Sequence, residues 1–169
     1  MAKVMAPIVA TVVLAGSLLF GSRGQVATAF QATPAAAAVP AIVSEVLGHA
    51  TPAAVNNPDL ALGRVTIMPG AAIPSHYHPG TQIGVVVQGE LTYTVFTGAV
   101  SLFRAAGGVP ETVSSGQTVV VEPEDALVEP PGSIHQGRNA GQAPVVIYLS
   151  TLFPAGAPRA ILAVATPIP

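Results

Sequence analysis

The sequence contains no cysteine. Disulfides and thiolate metal sites are therefore excluded, and any metal must be held by nitrogen or oxygen donors. Charge is scarce too. Lys, Arg, Asp and Glu together make up 8% of the 169 residues. No basic patch or stripe is present, which argues against nucleic acid as a partner. Helical periodicity is almost absent after residue 30. No Ser-His-Asp order, phosphate-binding loop or paired carboxylates point to another catalytic class.

Long apolar runs are also missing, with one partial exception. Ile8 to Phe20 is apolar or small, follows a start that contains Lys3, and ends before Gly21-Ser22-Arg23. A bilayer span takes roughly 20 residues, so this run is short for a membrane helix. It fits the h-region of a secretory signal instead. Ala27-Thr28-Ala29 supplies the small residues that a signal peptidase reads, so cleavage is expected before Phe30. Residues 1–29 are thus read as a signal peptide and the protein as secreted or periplasmic. An uncleaved N-terminal anchor is the alternative, and would be the one contact with a membrane. Removal of Lys3 and Arg23 leaves four arginines against eight acids, a formal charge of −4.

Residues 30–43 are rich in alanine and proline and read as a linker. From Ser44 the texture changes to short β-rich runs, at 44–48, 61–67, 82–87, 91–97, 99–104, 118–122, 126–129, 133–137 and 144–152. Met68-Pro69-Gly70, Pro79-Gly80, Gln88-Gly89-Glu90, Ser114-Ser115-Gly116 and Pro130-Pro131-Gly132 separate them. Short strands with turns at close intervals indicate an all-β sandwich or barrel. Residues 44–153 form that single domain and 154–169 a C-terminal tail. The tail could form a short helix near 160–163, but its prolines favour an extended course. In 91–97, Leu91, Tyr93 and Val95 alternate with Thr92, Thr94 and Phe96, which predicts a half-buried strand. The run 82–87 has almost no polar residue after Gln82 and reads as covered on both faces.

Three of the four histidines sit in informative places. His76 and His78 are two apart, so in a strand both imidazoles point to one side and can share one ion. Gln82 is four residues beyond His78, but the Pro79-Gly80 turn between them leaves its side open. His135 follows a Pro-Pro-Gly turn and can return beside the first pair across a small barrel. His49 reads as an ordinary surface residue. Tyr77, between two candidate ligands, should point away. Glu122, Glu124, Asp125 and Glu129 read as a solvated acidic loop. Tyr93, Phe96, Phe103 and Tyr148 are core or cavity-lining candidates, and Arg138 is expected to face away from His135.

These residues form a recognisable pattern. Gly70, five residues, His76-Tyr77-His78, three residues, Gln82, six residues and Gly89 resembles the first cupin motif, with glutamine where the family has glutamate. Pro130-Pro131-Gly132, two residues, His135, three residues and Asn139 resembles the second. The family's leading glycine of that second motif is Glu124 here. The resemblance covers roughly residues 60–152. It implies a double-stranded β-helix, the jelly-roll barrel of cupins, of six to eight strands in two sheets. It also implies one divalent metal held by His76, His78, Gln82 and His135. Imidazole ligands suit Zn, Cu, Fe and Ni, and an oxygen ligand admits Mn. With a neutral amide in place of a carboxylate, nothing in such a ligand set offsets the ion's charge. The expected function is a metal-dependent oxidoreductase of the dioxygenase type acting on a small organic molecule. The alternative is a secreted module that binds metal or a small ligand without turnover, and a metal-dependent lyase or isomerase is a weaker option. A homodimer is expected by analogy. No catalytic residue is assigned.

Overall fold

A computed structural model describes residues 40–52 and 56–164. The expected signal peptide and the first ten residues of the expected linker lie outside the described residues. Twelve strands follow in order: β1 (Ile42–Ala50), β2 (Pro58–Ile67), β3 (His76–Tyr77), β4 (Thr81–Gln88), β5 (Leu91–Thr97), β6 (Ala99–Phe103), β7 (Glu111–Ser114), β8 (Thr118–Val121), β9 (Ala126–Glu129), β10 (Ile134–Arg138), β11 (Val145–Pro154) and β12 (Ile161–Leu162). They make two antiparallel sheets, ordered β1-β2-β11-β4-β9-β6-β7 and β12-β3-β10-β5-β8. The architecture is all-β, as the turn spacing predicts, and it has the two sheets that the cupin resemblance implies, but with more than the six to eight strands expected from it, because short edge strands extend both sheets.

The hydrophobic core lies between the sheets. Ile67, Tyr93, Val95, Leu102, Val121 and Val145 are among its fully buried members. Burying each such aliphatic side chain contributes about 1.5–3 kcal/mol. β5 behaves as its alternation predicts, with Leu91, Tyr93 and Val95 buried and the residues between them partly exposed. β4 does not. Gln82, Gly84 and Val86 are buried, while Ile83 and Val87 are 49% and 45% exposed. The strand is therefore covered on one face only. An apolar side chain on the outer face of a sheet is tolerated, so an unbroken apolar run does not prove two-sided burial.

Three strands escape sequence reading. β3 and β12 are two residues long, too short for any periodicity. β7 contains a single apolar residue, Val113, and lies at a sheet edge, where polar side chains are the rule. β1 begins at Ile42, inside the expected linker. In the C-terminal tail, Ile161 and Leu162 pair with Tyr77 and His76 as an extended strand rather than a helix. No helix among the described residues is long and apolar enough to cross a membrane.

The turns place the site. At Gly80 a Cβ would stand 2.2 Å from the Leu152 carbonyl oxygen. Only glycine lets the chain pass this close to β11 between β3 and β4. That compact turn keeps Gln82 on the same buried side as His76 and His78. Glu124 has φ of 71°. This is the left-handed conformation in which glycine is favoured, and it accounts for the family's glycine at this position.

Candidate metal centre

Strand pairing brings the histidines together. His135 in β10 is the cross-strand partner of His76 in β3, and the two rings are 4.4 Å apart between centroids. His78, one pleat further on, faces the same way, with its ring 4.9 Å from that of His76. All three histidines are buried. One nitrogen from each forms a group in which the atoms lie within 4.8 Å of one another, a cluster that can hold a metal ion.

The tautomers are set by the backbone. His76 donates from Nδ1 to the Pro74 carbonyl at 2.8 Å, His78 to that of Arg159 at 2.7 Å and His135 to that of Ser133 at 3.0 Å. A carbonyl only accepts, so each Nδ1 carries the proton. Each Nε2 then carries the lone pair that can take a proton or a metal, and at His78 it also lies within hydrogen-bond distance of the Gln82 amide nitrogen. Orientation of a ligating imidazole through its second nitrogen is a recurrent feature of metal sites. Phe153 stacks on His78 and Tyr93 on His135, which restricts both rings further.

Gln82 is buried beside the three rings, on the face its motif position implies. Its amide nitrogen donates to Oε2 of Glu129 at 2.7 Å and lies 3.1 Å from Nε2 of His78. Glu129 itself is the residue that sequence reasoning missed. It is 5% exposed, not part of a solvated loop. Asp125 is buried as well, and accepts from Arg104, from the amide of Ala105 and from the amide of Glu122. Only Glu122 and Glu124 of that acidic cluster are exposed. Parity within 126–129 carried the signal. Leu127 is an inward residue of β9, so Glu129, two further on, must face inward too.

The carboxylate of Glu129 is closely held. Tyr93 donates to Oε1 at 2.8 Å and Gln82 to Oε2 at 2.7 Å. Its oxygens also lie 3.3 Å from Nε2 of His78 and 3.5 Å from Nε2 of His135. Burial alone pushes the carboxyl up. The hydrogen bond with His78 and the attraction of His135 and His78 outweigh burial and hold it at about 2. Glu129 is therefore an anion. Burial lowers His76 to about 4, with the neighbouring His135 acting in the same direction. Burial also lowers His135. Tyr93 is raised well above its ordinary value by burial and by the Glu129 charge, so its hydroxyl stays a donor.

An apolar cavity of about 210 Å³ opens on this cluster. His76, Gln82, Glu129, His135 and Tyr93 form its polar end, and Ile73, Leu127, Ile147 and Leu149 are among its apolar walls. Of the aromatic candidates, only Tyr93 lines it. Phe103 is 42% exposed on the outside. Tyr77 is half-buried and turned from the rings, Arg138 is exposed, and His49 lies at the surface 3.6 Å from Asp59, each as expected. Asn139 of the second motif is fully buried. It donates to the carbonyls of Ile67 and Ala143 and accepts from the amide of Gly141, which ties the end of β10 to β2.

Comparison with known proteins agrees with this architecture. The cupin domain model matches residues 63–152. Auxin-binding protein ABP19b of Prunus persica is 30% identical over 118 residues, which is 68% of this chain and 46% of that protein. The match thus spans a little under half of the relative's length. Among solved structures, KdgF from Halomonas sp. superposes with a TM-score of 0.46 at 24% identity, covering 67% of this chain and 80% of that one. The DMSP lyase DddQ from Ruegeria pomeroyi superposes with a TM-score of 0.49 at 20% identity, covering 75% and 54%. With both histidine motifs, the double-sheet barrel and a family match over more than half of its length, the chain belongs to the cupin family.

Proposed function

We propose that this cupin is a metal-dependent oxidoreductase of the dioxygenase type acting on a small organic molecule. One observation carries the reading: three buried imidazoles, each held through Nδ1 by a backbone carbonyl, bring one nitrogen each within 4.8 Å of the others, and two of them, His76 and His135, line an apolar cavity. The residues present suit a divalent transition metal. Three imidazole nitrogens are preferred donors for Fe, Ni, Cu and Zn, and a neighbouring oxygen admits Mn. Such an ion, when bound, supplies Lewis acidity and, for Fe, Mn, Ni or Cu, electron exchange.

The chain's own residues do the rest. Ile73, Leu127, Ile147 and Leu149 exclude water and hold an apolar body. The cavity's 210 Å³ lies below the roughly 300–1,000 Å³ of drug-sized sites, which selects a small substrate. Secretion belongs to the same reading and rests on the composition of residues 1–29.

The second reading is binding without turnover. The relative of Prunus persica is named an auxin-binding protein, and this favours a small-ligand carrier or sensor. Oxygen consumption separates the two. The purified chain, loaded in turn with Fe, Mn, Ni, Cu and Zn, is followed over a panel of small aromatic and enolisable substrates. Oxygen uptake with at least one metal is expected. No uptake with any metal, together with a ligand recovered chemically unchanged, overturns the dioxygenase reading in favour of binding.

A further inference from the structure

The first motif carries glutamine where the family has glutamate, yet the site does not lack a carboxylate. Gln82 and Glu129 are direct cross-strand partners in the β4–β9 ladder. The acid stands one strand away from the place where the motif would put it. It reaches the same cluster from there, with its oxygens 3.3 Å and 3.5 Å from Nε2 of His78 and His135.

We propose that Glu129 is the anionic donor of the metal centre, and that Gln82 acts as a positioning residue for it. The inference rests on the metal-centre reading above. Three observations carry it. First, the distances to two of the three imidazoles suit coordination beside them, with Oε2 3.3 Å from Nε2 of His78 and Oε1 3.5 Å from Nε2 of His135. Two donors each about 2.0–2.2 Å from one ion, at right angles or tetrahedrally disposed, stand roughly 3–3.5 Å apart. Second, the carboxylate is buried and held at both oxygens by neutral donors, Tyr93 and the Gln82 amide. Neither of them neutralises its charge. A buried carboxylate needs a cation, and among the described residues no Lys or Arg forms a salt bridge to it. Among the described residues the only groups in ion-pair range are the imidazoles of His78 and His135, whose Nε2 atoms are the ones that hold a proton or a metal ion. Third, the Gln82 amide nitrogen points at Glu129 rather than away from it. In that orientation its hydrogens face the cluster, and the group donates to the carboxylate instead of offering an oxygen to an ion.

A charge swap across one rung of the ladder follows. The motif glutamate is replaced by an amide, and the facing residue on β9 supplies the acid. The centre then keeps three neutral imidazoles and one anion, so the uncompensated charge implied by glutamine at position 82 does not arise.

The test uses cobalt(II) as the probe and the full chain. Titration gives the affinity, and the visible absorption spectrum reports the donor set. Glu129→Gln keeps the shape of the side chain and is expected to weaken cobalt binding roughly 100-fold and to change the spectrum. The exchange variant Gln82→Glu with Glu129→Gln restores the carboxylate on the other strand and keeps the cross-strand hydrogen bond. It is expected to recover most of the affinity, and it carries the test should the single variant fail to fold. His135→Ala is expected to lose binding altogether. If Glu129→Gln binds cobalt with wild-type affinity, or with weaker affinity but an unchanged spectrum, the inference is overturned while the metal centre stands. If the wild-type chain takes up no cobalt, or His135→Ala binds as wild type does, the metal-centre reading fails and the inference with it.

Discussion

His78 and Arg159 are joined by a hydrogen bond from imidazole Nδ1 to backbone carbonyl, 2.7 Å long and 81 residues apart in sequence. The C-terminal segment is thus part of the site's support. It is anchored by the pairing of β12 with β3, by the bond from the Ala163 amide to the Ser75 carbonyl and by the contact of Arg159 with Thr151.

Truncation after Pro158 should therefore lower metal affinity without unfolding the barrel. β12 is two residues long and lies at a sheet edge, so little core is lost. Loss of a partner that orients a ligand typically costs 10–100-fold in affinity. Cobalt titration of the truncated chain, with circular dichroism as the fold control, checks this. Unchanged affinity would show that the tail does not orient His78.

Acid should destabilise the metal-free protein within a definable window. His76 titrates near 4 in the folded chain, against about 6.5 for a free imidazole. Between these values the unfolded chain holds the extra proton, so stability falls as pH drops from about 6.5 toward 4. His135 is shifted in the same direction. Glu129 extends the loss downward, because its depressed carboxyl stabilises the fold above its unfolded value near 4.5 and loses that contribution toward about 2. The His76 share is at most about 3 kcal/mol. Urea unfolding at pH 7.5, 6 and 5 should show a falling midpoint. A flat profile would contradict the burial of these rings as neutral groups.

Glu124→Gly should stabilise the protein. A non-glycine residue in the left-handed region costs about 1–2 kcal/mol, and glycine gives back part of that gain through chain entropy. The Glu124 side chain is exposed, and its role in the turn is carried by the amide that donates to the Val86 carbonyl. The expected gain is about 0.5–1 kcal/mol, or roughly 2–4 °C in Tm by calorimetry. A lower Tm would mean that the side chain makes a contribution that its exposure does not suggest.

Asn139→Ala should cost about 2–3 kcal/mol. The amide serves two carbonyls and one backbone amide in a fully buried position, and its removal leaves all three without this partner. Denaturant unfolding gives the loss. A change under 1 kcal/mol would indicate that water replaces the amide.

Much of the fold and part of the site were legible in the chain. The absence of helical period, together with short β-rich runs and turns at close intervals, indicated an all-β sandwich or barrel, and the absence of cysteine limited any metal to nitrogen and oxygen donors. The spacing of His76 and His78 placed two rings on one side of a strand, and the two motifs supplied His135. The acidic cluster misled because composition averages over residues that local geometry separates. Glu122 and Glu124 lie in a turn and are solvated. Asp125 is buried under Arg104, and Glu129 follows the inward parity of Leu127.

By itself the sequence determined the barrel, the three histidines and the glycine turns, because strand parity and turn chemistry are local properties. It did not determine which strands lie side by side. Only the tertiary structure set His135 against His76, Gln82 against Glu129 and the Arg159 carbonyl against His78. Those contacts join residues 47 to 81 positions apart. Their register follows from the packing of whole sheets, which no local pattern encodes.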